Sequence, residues 1–378
     1  MINPQSLSEK WINEASFNHK KADRILVEKV IRALVLLEGL SQTGIEFCFK
    51  GGTCTMLMTG SSRRMSIDID IIVPPTEKGL HPELVEIAAK TGFLRCEPIH
   101  RKGTAAVPKE HYKFFYESSL SGKENFILLD ILRENIHYSR TIRIPVESDF
   151  IVTDGESALV TIPDFDNIIA DKLTAFAPNT TGIPYIKKEN EMGMEIMKQM
   201  FDIGCLFDHC ENINVVREVF SRFCDAELKY RESRATKDDV LDDVIKTALA
   251  VCLRRDIDDT TDFRIISNGV KQVNNHIFSE SFNLDTAVVY AAKSACLAAA
   301  VKSGVERIPR FDRSMDMTSW LIGPPMDTKL NKIKKSRPEA FYYGMMQLQR
   351  KVKIERFFGG VNRKEKKPDY LNLSLIHI

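Results

Sequence analysis

The sequence predicts an α+β protein in two main parts, a mixed-sheet domain over residues 1–163 and an all-helical domain over residues 164–310. Three observations predict it. Apolar runs of strand length are confined to about the first 150 residues, where helical segments separate them. From Asn167 onward, apolar residues recur almost throughout at helical spacing. A chain of 378 residues is also too long for one ordinary core, so two domains of ~100–200 residues are expected.

The elements follow in order. Between Ala22 and Leu40, the residues Leu26, Val27, Val30, Ile31, Leu34, Leu37 and Leu40 share one side of a helix. Ile45 to Phe49 reads as a short strand that stops at Lys50-Gly51-Gly52. "TCTMLM" then reads as a short helix, "SSRR" as a loop, and Ser66 to Val73 as the next strand. After a helix near "HPELVEIAAKTG", the stretches "EHYKFFYES", "NFILLDIL" and "TIRIPVES" supply three more strands. "TIPDFD", with a proline and two acidic residues, starts the helical part near Asp164. Helices are then predicted over 167–176, 191–208, 212–230, 236–254 and 283–300.

Composition narrows the class. With 43% hydrophobic and 28% charged residues the chain is neither disordered nor fibrous, and a net charge of +1 gives no global bias toward nucleic acid or membrane. No apolar run approaches the ~18 residues of a membrane helix, and "MINPQSLSEKW" is not a secretory signal. The eight cysteines lack CxxC spacing and sit in apolar contexts such as "EFCF" and "AVCL", as reduced thiols of a cytoplasmic protein do. Cys205, His209 and Cys210 read as one helix face rather than a metal site. The acidic runs "DDVLDD" and "DIDDTTD" lack the glycine and spacing of a calcium loop.

Residues 311–372 form a basic carboxy-terminal segment. Between Lys329 and Lys367 there are thirteen Lys or Arg and three Glu, interleaved with Phe341, Tyr342, Tyr343, Phe357 and Phe358. Such a mixture binds phosphates and stacks on unpaired RNA bases, or it is a solvated helix whose aromatics pack inward. The last six residues, "LSLIHI" (373–378), match a translated transposon end used in sequencing libraries. The native sequence is therefore expected to stop near Asn372.

The chemistry is concentrated in "KGGTCTMLMTGSSRRMSIDIDIIV", Lys50 to Val73. In a strand, Ser66, Asp68 and Asp70 share one face while Ile67, Ile69 and Ile71 share the other. Two like charges on one face of an apolar strand repel each other, unless a divalent cation sits between them. Gly51 and Gly52 let the backbone approach an anion closely, and Thr53 opens a helix whose first amides can hold a phosphate. A phosphate cradle beside paired carboxylates is the equipment of metal-dependent nucleotidyl transfer. Further on, Lys172 falls on the apolar arc of Ile168, Ile169, Leu173 and Phe176. It either snorkels outward or reaches into the cleft between domains to meet a triphosphate. Asp130 is a lone acid in an apolar strand, suited to be a general base or a metal ligand. Lys198 and Asp202, four apart, could form an ordinary surface pair worth about 0.3–0.5 kcal/mol.

The Lys50–Val73 stretch resembles motif I of the polymerase-β nucleotidyltransferase superfamily, and in detail its AbiEii/AbiGii toxin branch. That branch reads Lys-Gly-Gly-Thr, a helix, then Arg-x-Ser-x-Asp-Ile-Asp, which Arg64, Ser66, Asp68 and Asp70 match. "DKLTA" around Lys172 and "IMKQMFDIGCLFD" around Lys198 and Asp202 match two further family helices, with Gln199 where many relatives have Asp. The resemblance covers residues ~22–210.

The resemblance implies a polymerase-β-like nucleotidyltransferase domain followed by an all-helical domain completing the cleft. It implies a toxin of a toxin–antitoxin or phage-defence pair, neutralised by an antitoxin. The toxin would move a nucleoside monophosphate from an NTP to an acceptor hydroxyl, by analogy the 3′ end of tRNA. Asp68 and Asp70 would hold Mg²⁺, with Asp130 assisting. Gly51, Gly52, Thr53, Arg64, Ser66 and Lys198 would bind the nucleotide. Lys172 would neutralise phosphate charge, and Asp202 would complete the cleft. The alternatives are a small-molecule nucleotidyltransferase of the antibiotic-modifying type and a non-catalytic nucleotide-binding relative.

Overall fold

The computed structural model describes residues 1–59, 63–75, 79–99, 109–308, 310–323 and 327–349. The chain is α+β. Helices α1 (Glu9–Asn18) and α2 (Arg24–Ser41) come first, each opened by a side-chain cap, Ser8 and Asp23 respectively. Strand β1 (Cys48–Lys50) runs directly into α3 (Gly51–Met58), and β2 (Ile69–Val73) follows. Next come α4 (His81–Lys90), β3 (Arg95–Pro98), β4 (Lys109–Glu117) and β5 (Glu124–Arg133). The five strands form one mixed sheet in the order β1-β2-β5-β4-β3, parallel only between β2 and β5. A separate hairpin-like pair is made by β6 (Thr141–Pro145) and β7 (Leu159–Pro163).

Strand alternation divides the sheet into two faces. Ile69, Ile71, Leu129, Ile131, Tyr112, Phe114 and Tyr116 are buried on one, in the core that includes α2 and α4. The register pairs Lys50 with Asp70, Asp70 with Asp130, and Asp130 with His111, so these four share the opposite face.

From Phe165 the chain is almost wholly helical. Asp164 caps α5 (Phe165–Ala175) by accepting from the Asn167 amide. A small ribbon of β8 (Ile186–Lys187) and β9 (Asn190–Glu191) follows. Then come α6 (Gly193–Phe207), α7 (Ile213–Tyr230), α8 (Lys237–Leu253), α9 (Phe263–Val273) and α10 (Leu284–Ser303). The last two described helices are α11 (Asp327–Ile333) and α12 (Pro338–Gln349). α6 and α9 cross closely because Gly193 and Gly269 meet there: a Cβ on Gly269 would lie 2.2 Å from the Gly193 carbonyl oxygen.

Several expectations need correction. The Asp-bearing strand starts at Ile69 rather than Ser66, so Asp68 precedes it. The first strand is Cys48–Lys50 rather than 45–49. α1, β3, β7 and α9 were not foreseen; β3 and β7 are short, and both carry exposed residues that blur alternation. By length and composition α10 could cross a membrane, although no such run was read from the sequence; 72% of it is buried within the molecule, where it packs on α6, α8 and α12. Phe341, Tyr342 and Tyr343 are buried, so they pack inward and are not open to stack on bases. Phe357, Phe358 and residues 373–378 lie outside the described residues. All eight cysteines are free and buried.

Candidate active site

The site begins where β1 turns into α3. Gly51 has φ +81°, a conformation that side chains disfavour, and a Cβ there would lie 2.1 Å from Asp70 Oδ2. A Cβ on Gly52 would lie 2.5 Å from Ser66 Oγ and 2.9 Å from an Arg64 terminal nitrogen. Both glycines are therefore required by close approach of the β2 edge. No side chain caps the start of α3, so its first amides keep their donors free of side-chain partners. The Thr53 hydroxyl is already used: it donates to the Asp68 carbonyl at 2.6 Å, fixing the chain just before β2.

The carboxylates gather on the sheet face across from this turn. Burial, then the charges of Asp130 and Asp68, pushes the Asp70 carboxyl up to about 7. Asp68 is raised by burial and then by Asp130. Asp130 accepts a bond from His111 Nδ1 at 2.6 Å. Among the described residues no three His, Cys, Asp or Glu side chains converge as a ready metal cluster.

Cations from three other elements face these acids. Arg64 donates to Asp202 through Nε and a terminal nitrogen, at 2.9 and 2.8 Å. Lys172 Nζ donates to the same carboxylate at 2.9 Å and to Gln199 Oε1 at 3.2 Å. All three charged side chains are buried. Burial favours a neutral Asp202, but Arg64 and Lys172 outweigh it and hold the carboxyl below the usual range. Lys198 is lowered by burial and then by Arg64, and no acidic partner stands within ion-pair distance among the described residues. Two cations sharing one carboxylate, plus Lys198, leave this side of the site net positive. The pairing of Lys198 with Asp202 considered from the sequence is not formed; Asp202 is taken by Arg64 and Lys172.

Four residues that sequence reasoning missed belong here. Lys50 pairs with Asp171 at 2.9 Å, and Tyr138 OH donates to the same carboxylate at 2.8 Å. The position of Lys50 before Gly51, and of Asp171 before Lys172, was the available signal. His111 was invisible because its partner lies 19 residues away on another strand.

A mixed sheet with a glycine turn, strand carboxylates and a facing helical part defines an α+β protein of the nucleotidyltransferase class. The chain belongs to the AbiEii family, described as nucleotidyl transferase AbiEii toxin of a type IV TA system, which matches residues 35–273. Among solved structures it is similar to MenT4, a nucleotidyltransferase toxin from Mycobacterium tuberculosis H37Rv, with 13% identity and a TM-score of 0.49 over 88% of this chain and 98% of that one. JHP933 from Helicobacter pylori shows 14% identity and a TM-score of 0.39 over 80% and 94%. Among curated proteins, 35 residues are 86% identical to a component of the NADH-quinone oxidoreductase of Bacteroides thetaiotaomicron, 9% of this chain and 18% of that protein. The chain thus spans less than a fifth of the curated relatives it matches, and a stretch so short carries no role across.

Proposed function

We propose that this protein is a cytoplasmic, Mg²⁺-dependent nucleotidyltransferase toxin. It transfers a nucleoside monophosphate from an NTP to an acceptor hydroxyl, the 3′ end of tRNA, within a phage-defence pair whose antitoxin neutralises it. The observation that carries the reading is the pair Asp68 and Asp70: half-buried, raised, and without side-chain hydrogen-bond partners among the described residues, with Asp70 directly against Gly51 and the Asp68 carbonyl held by Thr53.

The donor set fits a hard divalent cation. Two repelling carboxylates lacking other partners favour a positive ion between them, and oxygen ligands with the remaining positions left to phosphate and water suit Mg²⁺. Asp68 and Asp70 would hold it. When bound, such an ion neutralises phosphate charge and favours the attacking oxygen.

The chain's own residues supply the rest. The first amides of α3, left open by two glycines, donate to the phosphate oxygens. Ser66 and Arg64 border Gly52 from the other side. Lys198 brings an unpaired cation to the triphosphate, and the Arg64–Asp202–Lys172 cluster adds its surplus positive charge as fixed, prearranged electrostatics. The Thr53 hydroxyl holds the Asp68 carbonyl, while its amide is one of the first donors of α3. Asp130 stands beside Asp70 as proton acceptor for the hydroxyl. The tRNA acceptor is supported by the family and by the basic carboxy-terminal segment, but no longer by its three buried aromatics.

The test incubates the protein with Mg²⁺, total tRNA and each of four α-labelled NTPs, with Asp68→Ala alongside. Label on tRNA from one NTP, lost in the variant, supports the reading. Label on no RNA, with the protein folded and NTP bound, turns it toward a small-molecule acceptor.

A further inference from the structure

Lys50, Asp70, Asp130 and His111 stand in one row across β1, β2, β5 and β4 as successive register partners. The ends of the row are engaged differently. Lys50 turns to Asp171 outside the sheet, whereas His111 turns along the row to Asp130. The His111 side chain is 11% exposed and that of Asp130 37%, so the imidazole is packed while the carboxylate stays open. An ionised carboxylate only accepts hydrogen bonds, so the 2.6 Å contact puts the proton on His111 Nδ1. Asp130 Oδ2 has no partner among the described residues.

We propose that His111 is the positioning residue for nucleotidyl transfer that holds Asp130 as the proton acceptor beside Asp70. This rests on the transfer reading above. A carboxylate's terminal torsion is broad, and Asp70 and Asp68 repel Asp130; alone, it would rotate away from the row. The bond from Nδ1 fixes Oδ1 and so orients Oδ2. In the reaction the acceptor hydroxyl gives its proton to Asp130 Oδ2, and its oxygen lone pair forms the bond to the α-phosphorus. The bond from that phosphorus to the bridging oxygen breaks, and its electron pair leaves on pyrophosphate. His111 keeps its Nδ1 proton throughout, and Asp130 returns the acquired proton to water.

The experiment compares His111→Phe, which keeps the ring shape without a donor, with His111→Asn, whose amide can occupy the Nδ1 position. In the labelling assay, His111→Phe is expected to lower kcat roughly 10–100-fold with KM for the NTP within about twofold, and His111→Asn to recover most of the loss. Equal kcat in wild type and His111→Phe overturns the proposal, as does an NTP KM effect alone or equal loss in both variants. Nitrogen-15 spectra of labelled histidine give a readout without turnover: Nδ1 should be protonated in wild type and its resonance should shift in Asp130→Asn. A bare Nδ1 overturns the proposal. A wild-type protein that transfers nothing overturns the transfer reading itself, a result distinct from active wild type with indifferent His111 variants.

Discussion

The Lys50 ammonium lies 2.9 Å from the Asp171 carboxylate, tying the residue before the glycine turn to the first helix of the helical part. Asp171 and Lys172 are consecutive on α5, yet one grips the sheet and the other grips Asp202 on α6. Burial favours a neutral Asp171, but Lys50, with Tyr138 assisting, holds it below the ordinary carboxylate range.

Removing one partner of this pair strands the other in a largely buried site. Lys50→Met and Asp171→Asn are each expected to reduce stability by roughly 2–4 kcal/mol, and the double variant by much less than the sum. Urea denaturation of the four proteins measures the coupling. Because the folded value of Asp171 is depressed, this stabilisation is present above the unfolded value near 4 and is lost as pH falls through the folded one. Additive single effects would show that the pair is not coupled.

Asp70 titrates in the opposite sense. Its folded value of about 7 lies above the unfolded value near 4, so between these limits the folded state keeps a proton that the unfolded state releases. Its contribution to stability therefore declines as pH rises from 4 to 7 and is constant above. Asp70→Asn is expected to abolish transfer, and it should equal wild type in stability near pH 4 and exceed it by roughly 1–3 kcal/mol at pH 8 without divalent ions. Millimolar Mg²⁺ should raise the Tm of wild type and leave the variant where it was. Thermal melts across pH check both; a variant less stable at pH 8 contradicts the charge assignment.

Lys198 is a cation that folding makes less favourable, since burial and Arg64 both oppose its charge. Lys198→Met should leave the Tm unchanged or slightly higher while raising the KM for NTP about tenfold, the loss of about 1.4 kcal/mol of phosphate binding. Steady-state kinetics beside a thermal melt separates the two effects. An unchanged KM would remove Lys198 from the nucleotide site.

Much of the site was legible because its residues lie close in sequence. Gly51, Gly52, Thr53, Ser66, Asp68 and Asp70 fall within one strand–helix–strand passage, where spacing alone restricts the geometry. Lys172, Lys198 and Asp202 were legible as residue types at family positions, but their partners were not. Asp202 was expected to complete the cleft, with a surface pair to Lys198 as the alternative; it is a buried counter-ion for Arg64, 138 residues away, and for Lys172. The three aromatics of α12 show the converse: composition allowed stacking on RNA, and packing against α10 took them into the core.

The sequence by itself determined the α+β division, the glycine turn and the two carboxylates at Asp68 and Asp70, because hydrophobic period and backbone freedom act over a few residues. Only the tertiary structure decided which charges meet. Strand register aligns Lys50, Asp70, Asp130 and His111, while helix packing brings Asp171 to Lys50 and Asp202 to Arg64. Electrostatic and hydrogen-bond energies depend on separations of a few ångströms between residues far apart in the chain, and no local pattern encodes those distances.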